Sequence, residues 1–476
     1  MKYDLVVVGS GPAGEKAATQ AAYFGKRVAI VERKPSPGGI AVSDAGIPTK
    51  TLRETAEYLT GFRRRDVYGI SLALDARLKL QRMTSRRAEV VQMMTDAVRA
   101  NIQRMGVELI HGEARLRPGK RVAVRTESGD ERDLEADVIF LATGSRPHHP
   151  ETIPFGHAAI SDSETILRLD GLPRSLLVIG AGAVGCEWAS IFTALGSEVT
   201  LLEGADRILP FLDAEASTVL AEIFRKQGMR VELKASLAAV TVGHGTVDGG
   251  TVDGGRAEGG RVEAHLADGR RLTADHLLFA GGRVGNTEGL GLAEAGVAMD
   301  ERGRVKVDGH FRTSAAGIYA GGDMIGPPAL ASVSMEQGRV AACHAFGVAF
   351  KETVDPLPPF GVYAMPEAAM VGLTEEQARK SGIDYETGRC PFARNTRARI
   401  AGSTEGMVKL VFRKTDRVLL GVHIVGDVAA ELIHLGQAVI HQGLTIDYFI
   451  HTTFNVPTYT EAYKYAAYDG LQRLAR

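Results

Sequence analysis

The sequence predicts an α/β fold with two similar βαβ units and a separate C-terminal α+β domain, and three observations support this. A glycine-rich strand–turn–helix pattern occurs twice, at residues 8–14 and 179–185. The 476 residues are enough for about three domains of ordinary size. From about Pro356, short alternating strands precede a helix, which indicates a third domain of a different class.

The first βαβ unit begins with a buried strand, Leu5–Val8, that leads directly into the first glycine motif. Gly9 permits the tight turn, Gly11 lets the backbone approach a pyrophosphate, and Gly14 lets the helix pack on the strand. The free N–H groups of the helix N-terminus then favour an anion. Glu32 ends the following strand, where a carboxylate accepts hydrogen bonds from ribose hydroxyls. The pattern predicts a dinucleotide site.

The second βαβ unit repeats this arrangement with Gly180, Gly182, Gly185 and Glu203 at the same spacing. Two complete fingerprints in one chain are rarely a coincidence. The carboxylate of Glu203 favours the two free ribose hydroxyls of NAD(H) and repels the 2′-phosphate of NADP(H). Arg207 would partly offset that repulsion if it turned toward the phosphate, and is otherwise a solvated loop charge.

The first unit is interrupted by the second along the chain. A helix at 88–105 and a buried strand over Asp137–Gly144 precede the second unit, and the C-terminal region contains strands at 408–412 and 419–424 and a helix over Ala429–His441. The predicted domains are 1–150 with 281–352, 151–280, and 356–476.

Residues 242–261 form a low-complexity, glycine-rich stretch. Such a composition buries too little apolar surface to become ordered, so we interpret it as a flexible hairpin loop inside the second unit.

Composition excludes several classes of function. The net charge of −1 gives no electrostatic basis for binding nucleic acid or an anionic membrane. The three cysteines are far apart and form no Cys-x-x-Cys pair, so we expect no metal site and no local redox disulfide. The apolar stretches are too short for a membrane span. Few cysteines and no signal peptide lead us to expect a cytoplasmic location.

Further motifs resemble those of the flavoprotein disulfide reductase family, which includes the relatives of dihydrolipoamide dehydrogenase and glutathione reductase. The stretches are Ala142-Thr-Gly144, Ala280-Gly-Gly-Arg283 with Asn286, Tyr319–Asp323 and Thr452–Tyr463. The likeness covers essentially the whole chain and is greatest to the branch of soluble pyridine nucleotide transhydrogenases. It implies two Rossmann-like domains, one for FAD and one for NAD(P), and a C-terminal dimerisation domain in a homodimer.

The fingerprints and the resemblance together assign cofactor contacts. Those for FAD are Gly9, Gly11, Pro12, Ala13, Gly14, Glu32, Arg33, Gly39, Lys50, Thr143, Gly144, Asp323 and Ala331. Those for NAD(H) or NADP(H) are Gly180, Gly182, Val184, Gly185, Glu203, Arg207 and Gly282.

The family's redox cysteines are missing. The frame Gly38–Lys50 matches the family's motif, but Ala41 and Gly46 stand where that motif has cysteine. Val456 stands before Pro457 where the family has its proton-shuttling histidine. Without thiols there is neither a charge-transfer thiolate nor dithiol exchange, and valine is no general acid.

Three residues are left as catalytic candidates. The resemblance aligns Lys50 with the lysine near flavin N5, where it would stabilise negative charge on the reduced flavin. It aligns Glu187 with the glutamate that holds that ammonium in place, and Glu461 with a carboxylate beside the partner subunit's flavin. Outside this frame, Lys50 would be an exposed lysine at a helix start and Glu187 a helix-surface charge.

We therefore predict an enzyme in which bound FAD relays hydride between NAD(H) and NADP(H) in a ping-pong cycle, without a redox disulfide. Because Glu203 disfavours NADP(H), an NAD(P)H:quinone or dye reductase is the alternative. A dihydrolipoamide dehydrogenase, or a flavin-bound interaction protein without catalysis, is less favoured.

Overall fold

The computed structural model describes residues 2–61, 76–169, 171–243 and 261–475. The chain divides into two compact units. The first contains residues 1–49, 86–148 and 282–356, and the second contains residues 50–85, 149–281 and 357–476. The second compact unit therefore contains both the second glycine motif and the C-terminal region.

The first compact unit contains a seven-stranded sheet, a separate two-stranded sheet and several helices. Its strands are β1 (Lys2–Val8), β2 (Val28–Glu32), β3 (Glu108–His111), β4 (Glu113–Arg117), β5 (Arg121–Arg125), β6 (Glu131–Leu141), β7 (Ser145–Pro147), β16 (Arg283–Gly285) and β17 (Ile318–Ala320). Its helices are α1 (Pro12–Tyr23), α2 (Gly39–Ser43) and α7 (Ala331–Ala345), and α3 (Ile47–Thr60) and α4 (Ala76–Arg104) continue across the boundaries between the two units.

The strand order of the seven-stranded sheet is β3-β2-β1-β6-β5-β4, with β17 also paired to β6. Strands β3, β2, β1, β6 and β17 run parallel. Their valine- and isoleucine-rich segments are buried, as is typical of a parallel sheet covered by helices. Because the carboxyl ends of parallel strands meet at one edge, Gly9, Glu32 and Ala142 lie at the same edge of the sheet.

Helix α1 packs closely on α7. A Cβ atom at Gly338 would stand 2.2 Å from the carbonyl oxygen of Ala13, so only glycine allows the two helices to approach this far. The contact fixes the direction of α1, and therefore the direction of its N-terminus.

The second compact unit contains two layered parts. The first has β8 (Ile160–Asp162), β9 (Ser175–Ile179), α5 (Ala183–Leu195), β10 (Glu198–Leu202), α6 (Ala214–Lys226), β11 (Arg230–Glu232), β12 (Leu237–Val242), β13 (Val262–Leu266), β14 (Arg271–Ala274) and β15 (His276–Phe279). The second has β18 (Phe360–Val362), β19 (Ala368–Gly372), α8 (Glu375–Lys380), β20 (Tyr385–Pro391), α9 (Thr396–Ala401), β21 (Met407–Arg413), β22 (Leu419–Val425), α10 (Ala429–His441), α11 (Asp447–His451) and α12 (Glu461–Leu474).

A parallel sheet in the order β11-β10-β9-β15-β8 carries the second glycine motif, and β12, β13 and β14 form a separate antiparallel sheet. The C-terminal sheet is antiparallel in the order β18-β19-β22-β21-β20. Among the described helices, none combines the length and the low polarity that a transmembrane span requires.

The predicted elements are largely present. Helix α10 has the predicted bounds, and β21 and β22 extend the predicted strands by a residue or two. Helix α4 begins at Ala76 instead of 88, because residues 76–87 contain neither glycine nor proline and consist mostly of good helix formers. Strand β6 ends at Leu141, before the predicted end at Gly144, whose φ of +70° is incompatible with a strand.

The predicted flexible loop lies mostly outside the described residues, since 244–260 are not described. The strands on either side of it, β12 and β13, pair antiparallel, with Val242 opposite Val262.

Candidate active site

The first glycine motif forms a tight turn between β1 and α1. Gly9 has a φ of +100°, and a Cβ atom there would stand 2.4 Å from the carbonyl oxygen of Ala142. A Cβ atom at Gly14 would stand 1.9 Å from the carbonyl oxygen of Gly9. Gly39 lies close to the same turn, since a Cβ atom at Gly39 would stand 2.8 Å from the Cα atom of Gly11. These glycines allow three segments of backbone to meet at one point.

The N-terminus of α1 is open to a ligand. Gly11 is its N-cap, no described side chain caps the helix, and Pro12 occupies the first turn, where its missing N–H is no loss. The amides of Ala13 and Gly14 have no intrahelical acceptor by their position in the first turn. Such a terminus suits a pyrophosphate.

Glu32 is buried beside this turn. Its Oε2 atom accepts hydrogen bonds from the backbone N–H of Ser10 at 2.9 Å and from the hydroxyl of Ser10 at 2.6 Å. Its Oε1 atom accepts the backbone N–H of Lys34 at 2.8 Å. Because a carboxylate oxygen accepts about two hydrogen bonds, Oε1 can still accept one from a ribose hydroxyl.

A cleft of about 970 Å³ lies next to Glu32, a volume sufficient for a nucleoside moiety. Its lining includes Arg33, Lys34, His111, Glu113, Arg125 and Thr126. Of these residues, the sequence predicted only Arg33. Lys34 lies just after β2, whereas His111, Glu113, Arg125 and Thr126 lie at the end of β3, the start of β4 and the end of β5. The connection between β3 and β4 brings them close, because the backbone N–H of Gly112 donates to the carbonyl of Glu32 at 3.0 Å.

The Ala-Thr-Gly segment after β6 is bonded to the crossover that follows the second βαβ unit. The hydroxyl of Thr143 donates to the carbonyl of Asn286 at 2.6 Å, and the side-chain amide of Asn286 donates to the carbonyl of Thr143 at 2.9 Å. The backbone N–H of Asn286 donates to the carbonyl of Gly144 at 2.9 Å. The hydroxyl of Ser145 donates to Asp323 at 2.7 Å. Thr143, Gly144 and Asp323 are thus brought together.

These features fit FAD. Open amide donors, a buried carboxylate with spare acceptor capacity and an adjoining cleft match a diphosphate, a ribose and a base. Ala331, also predicted as an FAD contact, is the exposed first residue of α7.

The second glycine motif has nearly the same geometry. A Cβ atom at Gly180, whose φ is +97°, would stand 2.8 Å from the carbonyl oxygen of Ala280. A Cβ atom at Gly185 would stand 1.8 Å from the carbonyl oxygen of Gly180. Gly182 differs, because no described atom lies within 4 Å of the position of its Cβ atom. This open space lies at the N-terminus of α5, which no described side chain caps. Val184, another predicted NAD(P) contact, is the second residue of that helix.

Glu203 accepts fewer hydrogen bonds than Glu32. Its Oε2 atom accepts the backbone N–H of Ala181 at 2.7 Å, and its Oε1 atom accepts that of Ala205 at 2.9 Å. Ala181 stands where the first motif has Ser10, so no side-chain hydroxyl at this position donates a hydrogen bond to the carboxylate of Glu203. Each oxygen keeps an acceptor position, which suits the two ribose hydroxyls of NAD(H).

Two further predicted NAD(P) contacts, Arg207 and Gly282, form hydrogen bonds with other residues of the protein. The guanidinium of Arg207 pairs with the carboxylate of Glu376 at 2.9 Å and donates to the carbonyl of Pro210 at 3.1 Å. Gly282 belongs to the first compact unit, where its carbonyl accepts the backbone N–H of His148.

Lys50 and Glu187 form an ion pair. The ammonium of Lys50, on α3, lies 2.9 Å from Oε1 and 2.7 Å from Oε2 of Glu187, on α5. The Glu187 side chain is only 8% exposed, whereas that of Lys50 is 33% exposed. The carboxylate is therefore held inside the protein, while part of the Lys50 side chain is exposed.

Tyr363 contacts both members of this ion pair, and the sequence did not predict it. Its backbone N–H donates to Oε1 of Glu187 at 3.0 Å, and its ring centroid lies 4.9 Å from the ammonium of Lys50. An aromatic face at this distance attracts a cation. Burial raises the pKa of the Tyr363 hydroxyl, and the nearby Glu367 and Glu187 raise it further, so the ring stays neutral at physiological pH.

Glu461 lies elsewhere in the second compact unit, as the buried first residue of α12. No hydrogen bond between described residues connects it to Lys50 or Glu187.

One further charged cluster lies in this unit. The ammonium of Lys409, 1% exposed, is 2.7 Å from Asp213, 2.9 Å from Glu215 and 2.5 Å from Glu375. The three carboxylates are close enough to hold a cation, and in the structure that cation is Lys409. Burial lowers the pKa of Lys409, but Asp213 and the other acidic partners raise it by more, so it stays charged.

The chain matches a family model described as pyridine nucleotide-disulphide oxidoreductase over residues 3–338, and the dimerisation domain of the same family over residues 358–467. It is 41% identical over 475 residues to a soluble pyridine nucleotide transhydrogenase of Mycobacterium bovis, covering 99% of this chain and 98% of the relative. It is 38% identical over 477 residues to a protein of the same name from Photorhabdus laumondii, covering 99% of both chains.

Solved structures are similar over nearly the whole chain. LpdA from Mycobacterium tuberculosis has a TM-score of 0.86 at 30% identity, covering 98% of this chain and 99% of that one. The Cu(II) complex of the HOCl-induced flavoprotein disulfide reductase RclA from Escherichia coli has a TM-score of 0.86 at 28% identity, with the same coverage.

The fold and the two dinucleotide motifs thus define a flavin- and nucleotide-dependent oxidoreductase. The chain belongs to the pyridine nucleotide-disulphide oxidoreductase family. The predicted fold class, the family resemblance, the enzyme class and the use of FAD and a pyridine nucleotide are confirmed.

Proposed function

We propose that this protein is an FAD-dependent transhydrogenase that transfers hydride between NAD(H) and NADP(H) without a redox disulfide. The observation that carries the proposal is the Lys50–Glu187 ion pair together with the replacement of both redox cysteines by Ala41 and Gly46. The relatives named transhydrogenases match over the full length of the chain.

The protein's own residues bind and orient. The glycine turns and the carboxylates of Glu32 and Glu203 would hold the two dinucleotides by phosphate and ribose. Glu187 and the ring of Tyr363 would keep the ammonium of Lys50 in one position, where its charge stabilises the reduced cofactor. When bound, FAD supplies an electron-pair carrier that takes hydride from one nucleotide and returns it to another.

The segment of the missing dithiol supports the absence of sulfur chemistry. A Cβ atom at Gly46 would stand 2.8 Å from the carbonyl oxygen of Ala41, so a side chain at 46 would have to displace backbone. The three cysteines of the chain are free and buried at other positions, Cys186, Cys343 and Cys390. Burial raises the pKa of the thiols of Cys186, Cys343 and Cys390, which leaves them protonated and unreactive.

The predicted homodimer, with Glu461 serving the partner subunit, remains part of this proposal, and the match to the family's dimerisation domain supports it. The predicted cytoplasmic location also remains a proposal, which the three free, buried thiols favour.

The test is turnover with one donor and two kinds of acceptor. We expect NADPH to bleach the flavin absorbance and to reduce a thio analogue of NAD⁺ in steady state. Rapid reduction of menadione without exchange between nucleotides would instead support a quinone or dye reductase, which Glu203 favours because it selects against NADP(H). Bleaching by NADH alone would contradict transhydrogenation.

A further inference from the structure

A transhydrogenase must admit the 2′-phosphate of NADP(H) at a site whose acidic residue, Glu203, repels it. Asp206, exposed and three residues further on, adds a second negative charge. Some cation must offset these charges. The basic residue nearest in sequence is Arg207, but the structure gives it another partner.

Arg207 is engaged with Glu376. The ion pair joins Nη1 of Arg207 to Oε1 of Glu376 at 2.9 Å, whereas the Nε atom of Arg207 and the Oε2 atom of Glu376 are buried without a hydrogen-bond partner among the described residues. Oε1 of Glu376 also accepts the backbone N–H of Ala214 at 3.2 Å. Turning Arg207 toward a nucleotide would leave the partly buried carboxylate of Glu376 without its counter-charge, which is costly.

Lys234 is placed differently. It follows β11, and its backbone N–H donates to the carbonyl of Ala205 at 2.8 Å, while the N–H of Ala235 donates to the carbonyl of Glu203 at 2.9 Å. The residue after Glu203 is Gly204, whose Cβ position lies 3.5 Å from the hydroxyl oxygen of Ser236. Lys234 therefore lies at the same carboxyl-end edge of the sheet as the Glu203 turn.

The charge of Lys234 is available. The residue is exposed, with a φ of +55°, and no carboxylate among the described residues forms an ion pair with it. The nearby acid Glu232 is already paired with Arg230 and Arg270. We propose that Lys234 is the specificity-determining residue that binds the 2′-phosphate of NADP(H), with the hydroxyl of Ser236 beside it, while Arg207 is a structural ion-pair partner. This inference rests on the proposed transhydrogenase function.

The test is direct binding of NADP⁺ and NAD⁺ to the FAD-loaded protein by isothermal titration calorimetry. We expect Lys234→Gln to raise the Kd for NADP⁺ about tenfold, the loss typical of one hydrogen bond to a charged group, and to leave the Kd for NAD⁺ within twofold. It should also reduce the dependence of NADP⁺ binding on ionic strength. The matched control is Lys226→Gln, which removes the same charge from a lysine paired with Glu405 and should change neither Kd.

Two more variants separate Lys234 from Arg207. We expect Arg207→Gln and Glu376→Gln to leave the ratio of the two Kd values within twofold, with the melting temperature recorded to detect loss of structure. A larger change in NADP⁺ affinity from Arg207→Gln or Glu376→Gln than from Lys234→Gln, or no change from Lys234→Gln, would overturn the assignment. If the wild type binds NADP⁺ yet Lys234→Gln has no effect, only this inference fails. If the wild type binds no NADP⁺ at millimolar concentration, transhydrogenation fails with it.

Discussion

At the scale of single residues, the site depends on how one carboxylate is buried. Glu187 is 8% exposed and receives two contacts from Lys50 and one from the backbone of Tyr363. A buried carboxylate is costly unless it is paired and hydrogen-bonded, so Glu187 requires a cation at this position. The pair therefore fixes an ammonium that would otherwise be a mobile surface charge.

The family resemblance predicted the pairing of Lys50 with Glu187, because the glycine and proline frame around Lys50 and the fingerprint before Glu187 align these residues with the family's pair. The sequence could not predict Tyr363, because the contact to Glu187 is made by a backbone N–H, 176 positions away along the chain. No residue type is needed for a backbone donor, so no sequence pattern records it. The ion pair of Arg207 with Glu376 was not predicted either, because the two side chains are 169 positions apart in the chain; Arg207 as a nucleotide contact stays a prediction.

The first prediction concerns the charge of Lys50. We expect Lys50→Met to lower the rate of flavin reduction by NADH about 100-fold, because removing one preorganised electrostatic stabiliser typically costs that much. The midpoint potential of the flavin should become more negative, since reduced flavin loses a stabilising cation. Stopped-flow absorbance and a dye-coupled potential measurement provide the two values.

The matched control is Lys50→Arg, which keeps the charge and should retain most of the rate and the potential. Glu187→Gln should have a smaller effect than Lys50→Met, because the ammonium stays but is held less firmly. Equal rates and potentials in Lys50→Met and wild type would show that Lys50 is not electrostatically coupled to the flavin.

At the scale of elements, the two glycine fingerprints are built alike, but packing requires glycine at some of their positions and not at others. Gly14 and Gly185 are required by packing, since a Cβ atom would overlap the carbonyl oxygen of Gly9 or Gly180. Gly182 has open space around it, so nothing within the described protein requires glycine there. Within a dinucleotide fingerprint, a glycine at this position is expected where the backbone approaches a bound pyrophosphate.

The second prediction follows from this contrast. We expect Gly182→Ala to leave the melting temperature within about 1 °C of the wild type, because the added methyl group contacts no described atom. It should weaken binding of NAD⁺ and NADP⁺ alike, by about tenfold or more, because the methyl group occupies the space of the pyrophosphate. Differential scanning fluorimetry and calorimetric titration measure the two effects.

Gly171→Ala is the control, since that glycine also has no described atom near its Cβ position and lies outside the motif. It should change neither stability nor binding. Undiminished nucleotide binding in Gly182→Ala would place the pyrophosphate away from this helix N-terminus.

At the scale of the whole molecule, a buried ion network joins the nucleotide-binding and C-terminal parts of the second compact unit. Lys409 on β21 contacts Asp213 and Glu215 at the start of α6 and Glu375 on α8. Local patterns predicted the strands, the helices and the two fingerprints because those depend on periodicity and on glycine spacing. They could not predict this network, whose members are far apart in sequence and individually resemble surface charges.

The third prediction is that Lys409 supports stability in a pH-dependent way. Burial raises the pKa of Asp213, but His423 and Lys409 lower it by more, so the net pKa lies below its usual value. Burial likewise opposes the lowering of the pKa of Glu215 by Arg389 and Lys409, and again the lowering prevails. Carboxyl groups with lowered pKa contribute stability above their unfolded pKa, and this stability is lost as the pH falls through the lower folded value.

We expect Lys409→Met to reduce the free energy of unfolding at pH 7 by about 3–5 kcal/mol, because it leaves a buried carboxylate unpaired. The deficit relative to the wild type should shrink as the pH falls below the ordinary carboxyl pKa range, because protonating Asp213 removes the unpaired charge in the variant while the wild type loses its ion pair. Urea unfolding followed by fluorescence reports on this unit, since Trp188 is the only tryptophan and is buried there.

The control Lys226→Met, which breaks an exposed ion pair, should cost less than about 1 kcal/mol of unfolding free energy at every pH. A deficit for Lys409→Met that matched this control, or that did not change with pH, would mean that the network contributes nothing through its charges.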